Sequence, residues 1–153
     1  MTTARASFLS APRCISTTID TSQLNSAGLT QTFSLALKVP AGALVIARYL
    51  NIGTEFSGGG AGACVADFGD AHAGGAQGWY GLQNIFTGAG TGITVTPSTP
   101  GAYLAAGQAA DVSALYRVIT VTITCDVAVN TLTAGSLGVN VFYIEQAAGN
   151  LPK

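Results

Sequence analysis

Within Arg117–Val127 the residues alternate between two chemistries without a break from Ile119 onward. Ile119, Val121, Ile123, Cys125 and Val127 share one parity, and Thr120, Thr122 and Thr124 share the other. Successive side chains of an extended strand point to opposite sides of a sheet, so a period of two writes one dry side and one wet side. A helix cannot use this pattern, because its apolar stripe needs spacings of three and four. The alternation recurs in Gln31–Val39, where Phe33, Leu35, Leu37 and Val39 oppose Thr32, Ser34, Ala36 and Lys38. Leu137–Ile144 repeats it with Val139, Val141 and Tyr143, while Phe142 and Ile144 make its second side partly apolar. Leu44–Ile52 is apolar on both parities, as a strand covered on both sides has to be.

The segments between these runs are punctuation. Pro40-Ala41-Gly42-Ala43 reads as a turn, and Gly53–Gly62, with Ser57-Gly58-Gly59-Gly60, as a loop or wide hairpin end. Gly69–Gly78 and Gly88–Gly92 read as further glycine-rich connections. Shorter strands are expected at Cys14–Asp20, Ala63–Phe68 and Ile93–Thr96, the last stopped by Pro97 and Pro100. Trp79–Phe86 is a strand or an irregular cover, and Val112–Leu115 one helical turn or a link. No stretch has the spacing of a long amphipathic helix, and no internal repeat is visible. Eight or so short strands at regular spacing predict an all-β chain: an antiparallel β-sandwich, jelly-roll-like, spanning residues 14–146 as one domain. Residues 1–13 read as an extended N-terminal arm and 147–153 as a short tail. Phe33, Ile119, Val121, Ile123, Val139 and Val141 are the expected core.

Charge narrows the function. Charged residues are 8% of the chain, against roughly 25% in an ordinary soluble protein, and the net charge is −1. No basic cluster exists to displace counterions from a nucleic acid. With 48% hydrophobic residues the composition is not that of a disordered chain. The best apolar run, Ala41–Leu50, is cut by Arg48, and the N-terminal stretch is broken by Ser7, Ser10 and Pro12, so neither a membrane helix nor a secretory signal is expected. A β-protein this poor in charge leaves its strand edges unprotected as a monomer, which predicts a homo-oligomer, a trimer ahead of a dimer.

Few residues carry chemistry. Asp67-Phe68-Gly69-Asp70-Ala71-His72 is the one cluster with metal or acid–base potential. Its spacing fits no calcium loop, and the preferred reading is a turn in which Asp67 and Asp70 cap backbone N–H groups while His72 is solvated. His72 is the only histidine, Gly-x-Ser-x-Gly does not occur, and no glycine-rich stretch is followed by the lysine of a phosphate loop. The chain is therefore read as non-enzymatic and without a cofactor. Cys14, Cys64 and Cys125 form no CxxC pair and are expected as free thiols in a protein made in a reducing cytoplasm, one disulfide being the lesser alternative. Trp79-Tyr80, on a glycine-rich segment, either plugs one end of the sandwich or stacks on a partner, with Tyr103 as a further aromatic contact. Arg5 and Arg13, in the arm, are candidates to pair with acidic groups on a neighbouring subunit.

Val39-Pro-Ala-Gly-Ala-Leu-Val-Ile-Ala-Arg-Tyr, Gly53-Thr-Glu-Phe-Ser-Gly-Gly, Gly101-Ala-Tyr-Leu and, above all, Asn130-Thr-Leu-Thr-Ala-Gly-Ser-Leu-Gly-Val-Asn-Val-Phe-Tyr resemble segments of small β-rich virion proteins of tailed bacteriophages. The resemblance covers most of Leu35–Ile144. It implies a jelly-roll-like fold, a dimeric or trimeric assembly and a place on the capsid exterior. There the protein would act as cement or decoration, clamping neighbouring major capsid subunits. It brings no catalytic residues. The alternative is a receptor- or carbohydrate-binding β-module of a phage fibre or tail.

Overall fold

The computed structural model describes residues 11–70, 75–86, 93–95 and 116–145. Among them run eight strands: β1 (Arg13–Asp20), β2 (Thr30–Val39), β3 (Leu44–Ser57), β4 (Cys64–Asp70), β5 (Gly75–Asn84), β6 (Ile93–Val95), β7 (Arg117–Cys125) and β8 (Ala134–Ile144). Helical structure among the described residues is confined to single 3-10 turns at Thr21–Gln23 and Val129–Thr131. The strands form two four-stranded sheets, ordered β1-β8-β3-β6 and β2-β7-β4-β5. Every pairing is antiparallel, so the chain is all-β.

Period-two segments behave as their spelling requires. In β7 each odd residue from Arg117 to Cys125 is buried and each even one half-buried. Ile119, Val121, Ile123, Val139 and Val141 are buried, and Phe33 packs against them while half-covered. Both sheets contribute to the same cluster: Ile15, Leu50, Ile52 and Leu137 come from one, Ala66 and Phe68 from the other. β3, apolar on both parities, lies inside its sheet between β8 and β6.

Elsewhere the boundaries move. β3 continues to Ser57, past the loop expected from Gly53. Gly53 sits at a register shift between Ile52 and Thr54, and a Cβ there would lie 2.5 Å from the Ser136 hydroxyl. It marks a bulge in a long bent strand, where close approach demands glycine. β4 runs on to Asp70 because β7 supplies an unbroken one-to-one ladder from Cys64↔Cys125 to Asp70↔Ile119. β5 starts at Gly75, so the expected Gly69–Gly78 connection is mostly strand. β1 takes in Arg13, opposite Tyr143, one residue into the predicted arm. The first ten residues, Gly88–Gly92, Val112–Leu115, Tyr103 and the 147–153 tail lie outside the described residues.

The expectation of three free thiols is corrected. Cys64 and Cys125 stand directly opposite each other on β4 and β7, Cα atoms 4.1 Å apart, and form a disulfide. Both occupy buried positions of adjacent strands, where the ladder itself brings two sulfurs together. Their separation of 61 residues hid this from a local reading. Cys14 is the free thiol, exposed on β1.

Candidate functional site

Asp67 and Asp70 do not converge. On β4 Asp70 is in register with Ile119, a core residue, whereas Asp67 is in register with Thr122 on the other side of the sheet. Residues three apart on a strand face opposite ways, so the two carboxylates cannot share an ion. His72 lies outside the described residues. Among those described, no group of three or more His, Cys, Asp or Glu is placed to hold a metal. The turn-capping reading is also corrected, since both aspartates are buried strand residues.

What Asp70 meets is Arg117, at the head of β7. Arg117 Nη1 lies 3.6 Å from Asp70 Oδ2, and neither side chain has exposed surface. Arg117 Nη2 also donates to the Ala43 carbonyl at 3.1 Å, in the turn between β2 and β3. The pair thus ties β4, β7 and that turn together. Its role is positional, because the two charges offset each other away from solvent, with Arg117 Nε and Asp70 Oδ2 buried there without a hydrogen bond of their own. Sequence reading missed Arg117. Its signal was parity: it shares the dry side of β7, and a cation there requires an anion beside it.

The remaining candidates are dispersed. Arg13 faces Glu145 of the same chain at 3.3 Å, with side chains 60% and 37% exposed, an arrangement worth about 0–1 kcal/mol. Trp79 and Tyr80 fall in β5, where the backbone alone is described; Tyr80 takes the register position opposite Phe68. Arg5 and Tyr103 lie outside the described residues.

Two outward-facing surfaces dominate what a partner would meet. On the β2–β7 pair, Thr30 and Thr124 share a hydroxyl–hydroxyl hydrogen bond of 3.1 Å, Thr32 and Thr122 one of 2.8 Å, and Ser34 stands opposite Thr120. On the other sheet the rings of Tyr49 and Phe142 stack, centroids 5.7 Å apart and planes at 26°. Beside them Ser16 donates to the Asn140 amide oxygen at 2.9 Å, and Asn51 lies opposite Gly138. Cys14, Ser16, Thr18, Ala47, Tyr49, Asn51, Gly138, Asn140 and Phe142 carry the middle of this side without a charge, and Asp20 closes its β1 end. Hydroxyls, amides and rings hold a partner by hydrogen bonding and packing. No protein-family model matches the chain, and no curated protein or solved structure matches it either.

Proposed function

We propose that the chain is a non-enzymatic structural protein of a phage virion, a jelly-roll β-sandwich that acts as capsid cement. The strand pairing carries this reading. β1 pairs with β8, β2 with β7, β3 with β6 and β4 with β5, so the chain is one long hairpin doubled back at β4–β5. Rolling that hairpin adds the β3–β8 and β4–β7 pairings and divides it into two sheets. This order supports the jelly-roll reading, a scheme used by viral capsid and lectin domains. The neutral, hydroxyl-rich outer surfaces support a protein that is covered in an assembly rather than kept apart by charge.

Its partners are then the major capsid protein and further copies of itself, on the capsid exterior after synthesis in the host cytoplasm. Nucleic acid and membrane play no part. Cement works by mass action: what binds the assembled shell and not its free subunits shifts the balance towards the shell. About 1–3 kcal/mol per joint is enough when symmetry repeats it over many copies. The Cys64–Cys125 ladder position brings the thiols together before oxidation, so the bond can form once the particle leaves a reducing cytoplasm.

The test is disruption of particles by heat or low salt with and without the protein. Decorated particles should survive conditions that open bare ones, and equal robustness refutes the proposal. A carbohydrate- or receptor-binding module of a fibre or tail is the second reading, favoured by the Tyr49–Phe142 stack beside Asn140 and Ser16. Glycan-array binding that is lost on Tyr49→Ala would decide for it.

A further inference from the structure

We infer that β1 is the seam of a two-fold dimer, in which it pairs antiparallel with β1 of a second copy. This deepens the homo-oligomer part of the proposal above and rests on that part alone, not on capsid binding.

Among the described residues four strands lie at sheet edges, and three of them carry a device that discourages pairing. β2 has a register shift against β7 between Ser34 and Lys38, with the Lys38 side chain exposed there. β5 has two shifts against β4, flanking Phe68. β6 has three residues. Bulges, charge and shortness are the means by which natural sheets keep edges from meeting other chains. β1 has none of them. It pairs with β8 over eight consecutive one-to-one positions, Arg13↔Tyr143 to Asp20↔Ser136. Its charges are confined to its first and last residues, and the six between, Cys14 to Ile19, are uncharged. Pro12, just ahead of it, marks where a ladder must stop. A straight edge presents backbone N–H and C=O groups that an extended strand satisfies best.

Charge selects the direction. Antiparallel pairing sets the Arg13 end of each copy beside the Asp20 end of the other, whereas parallel pairing sets like beside like. The two-fold axis keeps each side of the sheet continuous, so only residues of equal parity can face each other. With Thr17 opposite Thr17 of the second copy, Ile15 meets Ile19 on the core side and Ser16 meets Thr18 on the outer side. Centring on Ser16 would instead set Ile15 against Thr17 and Arg13 against Ile19, mixing polar with apolar. The Thr17 register is therefore assigned. The result is an eight-stranded sheet spanning two copies, and a dimer in place of the trimer expected from composition.

Sedimentation velocity and light scattering on the full chain test this. The parent should run as a dimer. Ser16→Lys with Thr18→Lys should convert it to a monomer, because the two substituted positions face each other across the seam. Both side chains are exposed, so the circular dichroism spectrum should keep its shape, while the thermal midpoint should fall and lose its dependence on protein concentration. On a Cys14→Ser background, Thr17→Cys should give covalent dimers on mild oxidation and Thr18→Cys should not. A parent that is monomeric at every concentration, an oligomer indifferent to the lysines, or cross-linking at position 18 but not 17 overturns the inference. A dimer that fails to bind particles refutes only the cement proposal.

Discussion

Leucine in place of Asp70 should cost a large part of the chain's stability, by an amount the structure sets. Asp70 and Arg117 are 3.6 Å apart with no exposed side-chain surface. At an effective dielectric constant of about 20, Coulomb's law gives roughly 4–5 kcal/mol for unit charges at that distance. Removing one partner strands the other in a dry site, which costs about 3–5 kcal/mol. A domain holds only about 5–15 kcal/mol in total, so Asp70→Leu should shift urea unfolding far to lower denaturant. Arg117→Met should cost that much and more, since it also removes the donor to the Ala43 carbonyl. The double variant discards both desolvation penalties. It retains the orphaned carbonyl, worth about 1–3 kcal/mol, and so should be more stable than either single variant. Urea titrations followed by circular dichroism on all four proteins give the coupling energy directly. Single variants that each cost under about 1 kcal/mol, or that simply add up in the double, would mean the charges reach water and the reasoning is wrong.

Cys64→Ala with Cys125→Ala should lower stability by about 4 kcal/mol, the closure entropy of a 61-residue separation, while Cys14→Ser should be neutral. Thiol titration should find one reactive cysteine per chain before reduction and three after reduction in denaturant. Gly135→Ala should cost about 3 kcal/mol or more in thermal unfolding, because φ is +147° and its Cβ would lie 2.4 Å from the Phe56 ring. Gly138→Ala, three residues along the same strand, meets Asn51 at an ordinary 3.5 Å and should be nearly silent. Val121→Asp should abolish folding by burying an unpaired charge. Thr32→Ala, which removes one exposed hydroxyl pair, should cost about 1 kcal/mol or less in the same scan.

Strand character was legible wherever one side had to be dry and the other wet. β7 reads residue by residue, and β8 nearly so. β4 was legible only as far as Phe68, because Gly69 and Asp70 use turn chemistry, and the neighbouring ladder of β7 holds them extended. That one unseen neighbour accounts for two errors at once. With β4 set beside β7, Cys64 falls opposite Cys125 at one end, and Asp70 falls near Arg117 at the other. The disulfide and the buried ion pair would both have followed. The Arg13–Glu145 contact was hidden for the same kind of reason, since only the pairing of β1 with β8 brings Glu145 within reach. Local periodicity reports which side of a strand is dry; it carries no information on which strand lies alongside.

The position of the last two strands governs when this protein can fold during its own synthesis. Of the described strands β7 and β8 leave the ribosome last, yet β8 lies between β1 and β3, and β7 between β2 and β4. Until they emerge, β1 and β2 have no partner among the described strands, and β3 has there only the three residues of β6. Among the described strands the hairpin of β4 and β5 is the one pairing of adjacent strands available to the growing chain. A ribosome therefore carries most of the apolar sequence unfolded until translation reaches Ile144. Folding then proceeds through contacts as distant as Arg13 and Tyr143, a slow class of closure. A product broken off before β8 loses the centre of one sheet and leaves β1 without its neighbour, so premature termination yields no partly working subunit to enter an assembly.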